Sequence, residues 1–119
     1  MYEIFTFGRF EVALGNEGAF VDAWSEFATW ASQNGGAGTI RLARDVRHPL
    51  RYISIGQWDD AEAVRNWKSS PEFKERLGRV VKQATEFEPT ELVTLAKVTG
   101  GTVEEHSPPA ELEAIHAPS

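Results

Sequence analysis

The segment EIFTFGRFEV, residues 3–12, constrains the fold more than any other. It is rich in aromatic and β-branched residues and contains no proline, which reads as a strand. Side chains along a strand alternate between its two faces. Ile4, Thr6, Gly8, Phe10 and Val12 therefore share one face, and Phe5, Phe7 and Arg9 share the other. Both faces carry large apolar groups, so the strand is expected to be covered on both sides. Any fold for this chain must supply two covers.

The next segments supply the first cover. LGNEG breaks the strand, with Asn16 as N-cap and Glu17 at the positive end of a helix. From Ala19 to Ser32, Phe20, Ala23, Trp24, Phe27, Trp30 and Ala31 recur at spacings of three and four, one helical stripe. NGGAG stops it. TIRLARDV (39–46) and RYISIGQW (51–58) read as two strands, and the short RHPL break between them predicts an antiparallel hairpin. His48 precedes Pro49, which biases it to an extended or turn conformation.

In QWDDAEAVRNWKSSPEF, Asp59 and Glu62 have capping-box spacing and predict a short helix that SSP stops. Ser70 then caps a further helix with Pro71 at its first position. Its stripe of Phe73, Leu77, Val80 or Val81 and Ala84 is read as running to about Phe87, with Pro89 ending it. TELVTLAKV (90–98) closes the pattern as a last strand. The order βαββαβ is the ferredoxin-like arrangement, an α+β fold with an antiparallel sheet and helices on one face. The other sheet face, with Phe5 and Phe7, is expected to meet a second copy of the chain across a two-fold axis. Residues 1–100 form the predicted domain. Residues 101–119, rich in glycine, proline and glutamate, are expected to be a flexible tail with one turn of helix at PAELEAI.

Composition excludes several classes of function. The 119 residues favour one domain. The net charge of −6, with arginines scattered among acidic residues, argues against nucleic acid as a partner. There are no cysteines, so disulfide and thiolate chemistry are ruled out. The N-terminus has Glu3 and no long apolar run, so neither a signal peptide nor a membrane span is expected, and the cytoplasm is the expected compartment. His48, His106 and His116 lack ligand spacing, so no metal site is expected. NGGAG lacks a phosphate-loop order, and Ser54 lies mid-strand with no histidine placed to activate it. Glu17, Asp59, Asp60, Glu62, Glu72 and Glu75 read as caps and solvated faces.

The aromatic residues remain. Phe20, Trp24, Phe27 and Trp30 read as core on the first helix, and Trp58 as packing at a strand end. Trp67 stands just before a helix break, where its ring either fills the core or borders a space between helix and sheet. Gly8, inside an aromatic strand, marks a close approach and leaves room opposite it. Arg41 or Arg44, Tyr52, Thr6 and Gln57 are the candidate polar groups for such a space. The two arginines are equally open to a role in ion pairs between copies.

Three stretches carry a family resemblance: GRFEVALGNEGAFVDAW, IRLARDVRHPLRYISIGQWDDAEAVRNWKSSPEFKERL and FEPTELVTLAKV. Together they resemble the antibiotic biosynthesis monooxygenase family over residues 3–98. The most recognisable piece is W-x-[DS]-x-E-A-x-x-x-W-x-x-[SH]-x-x-[FH], here Trp58 to Phe73. The resemblance implies a dimeric α+β barrel, with two protomers packed sheet to sheet and a pocket between each protomer's helices and sheet. Some members of the family are cofactor-free oxygenases of polycyclic aromatic phenols, in which the electron-rich substrate itself activates O₂. Others degrade haem, using an Asn, a Trp and a His at positions matching Gly8, Trp67 and Leu77. Only the tryptophan is kept, and without an imidazole at Leu77 the iron would lack its ligand.

Haem degradation is therefore disfavoured. The expected function is that of a small cofactor-independent monooxygenase acting on an aromatic or polyketide-like metabolite with O₂. The alternative is a non-catalytic homodimer that binds a small aromatic molecule or acts as a scaffold. The candidate pocket residues are Thr6, Gly8, Trp24, Phe27, Tyr52, Trp67, Phe73 and Leu77; no catalytic residue is singled out.

Overall fold

A computed structural model of the chain describes residues 3–34, 37–58 and 61–105. Strand β1 (Ile4–Glu11) is followed by helix α1 (Glu17–Asn34), strands β2 (Ala37–Arg44) and β3 (Arg51–Trp58), and helices α2 (Ala61–Ser69) and α3 (Pro71–Val81). Strands β4 (Glu86–Val93), β5 (Ala96–Thr99) and β6 (Thr102–Glu105) complete the order. The main sheet runs β2-β3-β1-β4, and its pairings are antiparallel. The fold is the α+β, ferredoxin-like one. No helix among the described residues is long and apolar enough to cross a membrane.

The central place of β1 follows from its sequence. Ile4, Phe10 and Val12 are buried and join one core with Phe20, Phe27 and Ala31 of α1, Val64 and Trp67 of α2, and Phe73 and Val80 of α3. The helices thus cover the face that alternation assigned to Ile4, Thr6, Gly8, Phe10 and Val12. On the opposite face Phe5 and Phe7 lie across from Gln57 and Ile55 of β3, and remain partly exposed.

Local chemistry sets the helix ends. Ser70 sits in extended conformation, and its Oγ accepts the Phe73 N–H at 3.1 Å, with Pro71 beginning α3. Asn16 stands before α1 as expected, but its side-chain amide does not cap that helix. It donates to the backbone carbonyl of Gln83 at 2.8 Å, fastening the start of α1 to the exit of α3. The expected Asp59 cap lies outside the described residues.

The β2–β3 turn is built on Asp45, whose Oδ1 accepts the N–H groups of Arg47 at 2.8 Å and His48 at 3.2 Å. The hydrogen bond from the Arg47 amide lowers the Asp45 pKa below the ordinary carboxylate range, because it favours the charged form.

The C-terminal part departs from the sequence reading. The last helix ends at Val81, and Phe87 belongs to β4 rather than to the helical stripe. Pro89 does not end an element; it lies within β4, across from Gly8. An edge strand tolerates a proline because one row of its backbone groups needs no partner in the sheet. The strand expected over 90–98 is split: β4 stops at Val93, and β5 turns at Gly100–Gly101 to pair with β6. Both glycines have positive φ, 57° and 83°, which suits a tight hairpin turn. Residues 102–105, expected as part of a flexible tail, are therefore a strand, whereas the helical turn expected at PAELEAI lies outside the described residues.

Candidate active site

Two groups of aromatic rings occupy the layer between helices and sheet. Phe10 touches Phe20 and Phe87 with centroids 5.0 and 4.7 Å apart, and Phe20 meets Tyr52 at 5.0 Å. In the second group Trp67 is central. Its ring lies 4.5 Å from Trp58, 4.3 Å from Phe73 and 5.6 Å from Phe27. Between the groups is a cavity of about 170 Å³, bordered by Phe10 and Phe87 on one side and by Phe27, Trp67 and Phe73 on the other.

Small residues form the floor of this cavity. Thr6 and Gly8 of β1 and Ser54 of β3 line it, and the strand register places Thr6 across from Gly56 and Gly8 across from Ser54. Each hydroxyl residue therefore faces a glycine. The glycines make room for specific neighbours. A Cβ at Gly8 would meet the ring edges of Phe10 and Phe87, each at 3.2 Å. A Cβ at Gly56 would meet Thr6 Oγ1 at 3.0 Å and Trp58 Nε1 at 3.3 Å. The room expected at Gly8 is thus taken up in part by two leaning phenyl rings, and the hollow opens beside them.

Polar groups are few. The Trp58 indole N–H donates to Thr6 Oγ1 at 2.9 Å, and the Trp24 indole N–H donates to Ser54 Oγ at 2.9 Å. Trp67 Nε1 is buried and has no hydrogen-bond partner among the described residues. Among the described residues that line the cavity, Lys68 is the only ionisable one, and its ammonium is paired with Glu91.

Of the eight residues singled out in the sequence, Thr6, Gly8, Trp24, Phe27, Trp67, Phe73 and Leu77 border this cavity. Tyr52 does not. It is buried against Phe20 and borders a separate open groove along β2 with Arg41 and Arg44. Arg41 and Gln57 lie opposite or beside outer-face residues, and Gln57 donates to Glu3 instead.

Ser54, Lys68, Phe10, Phe87 and Pro89 also line the cavity and were not singled out. Alternation on β3 could have found Ser54, two residues from Tyr52 and four from Trp58. The helical spacing that runs on through Ala84 and Phe87 masks Phe87 and Pro89 as residues of β4. Trp67 proves to be both core and wall, being only 9% exposed while bordering the hollow.

Similar solved structures share this fold. SnoaB, a cofactor-independent oxygenase from Streptomyces nogalater, is 20% identical over 86% of this chain and 100% of its own, with a TM-score of 0.69. A conserved protein of unknown function from Bacteroides thetaiotaomicron is 14% identical over 78% of this chain and 98% of its own, with a TM-score of 0.69. A conserved protein from Methanosarcina mazei is 14% identical over 79% of this chain and 92% of its own, with a TM-score of 0.67. At such identities the likeness is one of fold. No functionally curated protein matches the chain. The sequence profile of the antibiotic biosynthesis monooxygenases matches residues 4–77, which is more than half of the 119 residues, and the chain belongs to that family.

Proposed function

We propose that this chain is a small monooxygenase that oxidises an aromatic metabolite with O₂ and without a cofactor. The observation that carries the reading is the cavity itself: ring-walled, nearly free of charge and set between helices and sheet. Membership of the family and the fold shared with a cofactor-independent oxygenase support it.

Such a cavity suits chemistry in which the substrate does the electronic work. An electron-rich phenol bearing an activated CH₂ would be held in a dry site, lose a proton and add O₂ at carbon. One oxygen atom stays as the new carbonyl, and the other leaves as water with the two hydrogens of the CH₂ group. The four electrons come from the substrate, so no external reductant is required. The protein's part is shape, exclusion of water and a few oriented polar groups. Trp24, Phe27, Trp67 and Phe73 would wall the ring, and Thr6 and Ser54 would meet its polar edge. Oxygen-electrode traces with anthrone- and quinol-type phenols, with ¹⁸O₂ followed into product, test the reading. No oxygen consumption above the uncatalysed rate would overturn it.

A non-catalytic, ligand-binding role is the second reading. It is favoured by Lys68, the one ionisable lining group among the described residues, being engaged by Glu91. It predicts thermal stabilisation by an aromatic ligand without product.

The functional unit is proposed to be a homodimer acting in the cytoplasm. Phe5, Phe7, Ile53 and Ile55 form an apolar centre on the outer sheet face, where Arg9 bonds Glu11 at 3.0 Å and Glu88 at 3.2 Å, and Arg51 bonds Glu11 at 2.7 Å. An apolar centre with a charged rim suits a second copy better than water. Light scattering at micromolar concentration should give twice the chain mass; a monomer mass would remove the dimer.

A further inference from the structure

The two floor hydroxyls have a proton each that the fold leaves uncommitted. A hydroxyl donates one hydrogen bond and accepts up to two. Thr6 Oγ1 accepts from Trp58 Nε1, and Ser54 Oγ accepts from Trp24 Nε1, both at 2.9 Å. Among the described residues neither hydroxyl donates to any protein group. Each indole N–H occupies a lone pair and so restricts the rotor, leaving the O–H to point elsewhere. Both residues border the cavity, and strand alternation puts them on the helix side of the sheet. Across the β1–β3 pair each lies opposite a glycine, Thr6 facing Gly56 and Ser54 facing Gly8, so on that side no side chain stands over it.

We propose that Thr6 and Ser54 form a two-donor site, held in orientation by Trp58 and Trp24, that binds the acceptor oxygens of a compact oxygenated aromatic ring. The proposal deepens the monooxygenase reading and rests on its use of this cavity. Three features define the ligand. Donors without a partner select acceptors, meaning carbonyl or phenolate oxygens rather than amines. Thr6 and Ser54 are diagonal neighbours across an antiparallel pair, a relation in which Cα atoms lie about 7–8 Å apart. That spacing lets each hydroxyl take its own oxygen, as on a 1,4-dioxygenated ring. The volume is the third feature. An apolar cavity of about 150 Å³ accommodates benzene, and this one is about 170 Å³. One ring fits inside and a fused second ring reaches the mouth, whereas a tetracycle is excluded.

The same geometry assigns Trp24 and Trp58 distinct roles. Trp24 borders the cavity and orients Ser54, whereas Trp58 acts on the ligand through Thr6 alone and is a positioning residue.

The test compares 1,4-naphthoquinone, which carries two acceptors, with naphthalene, which carries none. The absence of cysteine removes the usual site of quinone arylation. Titration calorimetry on the full chain should show the quinone binding more tightly by about tenfold or more, as expected for two hydrogen bonds to buried donors. Ser54→Ala alone would strand the Trp24 N–H, so the variant to use is Ser54→Ala with Trp24→Phe, which removes both partners together. Trp24 also borders the cavity, so naphthalene affinity changes as well and the readout is the ratio: the quinone-over-naphthalene preference should fall towards one. Thr6→Ser should retain the preference.

Equal affinity for the two probes, a preference that survives the double variant, or no binding of either at millimolar concentration would each overturn the proposal. A preference that follows Ser54, in a protein that consumes no oxygen with any phenol, would uphold the donor site and sink the monooxygenase reading instead.

Discussion

The two ring groups in the helix–sheet layer have similar composition but opposite outcomes. Around Phe20, which is fully buried, rings meet rings: Phe10 and Tyr52 come up from the strands and close it off from solvent. Around Trp67 the rings come mostly from the helices, and the strand positions beneath them are Thr6, Gly8, Ser54 and Gly56. The hollow thus results from a low floor, not from a missing wall. Deep packing needs large groups from both layers. Where one layer supplies only hydroxyls and hydrogens, the other cannot reach down to fill the space.

Mutations can break this contrast. Phe20→Ala should cost about 3–5 kcal/mol, the usual range for a fully buried ring. Leu77→Ala, on the partly exposed cavity wall, should fall at or below the low end of the leucine range, about 2 kcal/mol. Urea denaturation measures both. Equal losses would mean that the two halves pack alike.

Gly8→Ala should cost about 1–3 kcal/mol, as overpacking usually does, because its methyl would press on both Phe10 and Phe87 at 3.2 Å. The rings would have to tilt, so aromatic ligands should also bind less tightly. Unchanged stability would show that the rings yield freely.

A smaller effect separates the two tryptophans that meet at 4.5 Å. Trp58→Phe strands Thr6 and loses a hydrogen bond, whereas Trp67→Phe removes a buried N–H that has no partner among the described residues. The volume lost is the same. Trp58→Phe should therefore be the more destabilising by about 1 kcal/mol, read from paired thermal melts. The reverse order would assign Trp67 Nε1 an unseen partner.

The smallest effect lies outside both groups, in the β2–β3 turn. The folded pKa of Asp45 is depressed by the Arg47 amide, so its charged form is favoured in the fold. Its stabilising contribution is present above the ordinary carboxylate range and is lost as pH falls through the folded value. The melting temperatures of wild type and Asp45→Asn should therefore differ slightly at neutral pH and converge once the pH has fallen through the lowered Asp45 pKa. A constant difference across that range would remove the charge argument.

Much of the first 81 residues could be read directly, because the relevant signals are local. Alternation assigned the two faces of β1, three-and-four spacing assigned α1, and Ser70–Pro71 marked the start of α3. The segment after α3 was misread because Ala84 and Phe87 continue the helical spacing by coincidence. In β4 the alternating Phe87, Pro89, Glu91 and Val93 face the helix side, but a proline and a glutamate hide the apolar pattern. Only an edge strand lets both occupy that face. Tyr52 shows the same limit in the candidate site. It shares a face with Ser54, yet Phe20 closes over it and Trp24 does not close over Ser54.

The sequence by itself determined the order of elements, the residues on each strand face and the motif from Trp58 to Phe73. These depend on backbone geometry that repeats every two or 3.6 residues. Tertiary structure alone decided that Thr6 faces Gly56, that Gly8 faces Ser54, and that two indoles reach down to those hydroxyls. Strand register and the depth of helix packing bring together residues about 30 to 50 positions apart. No local pattern encodes the space left between them.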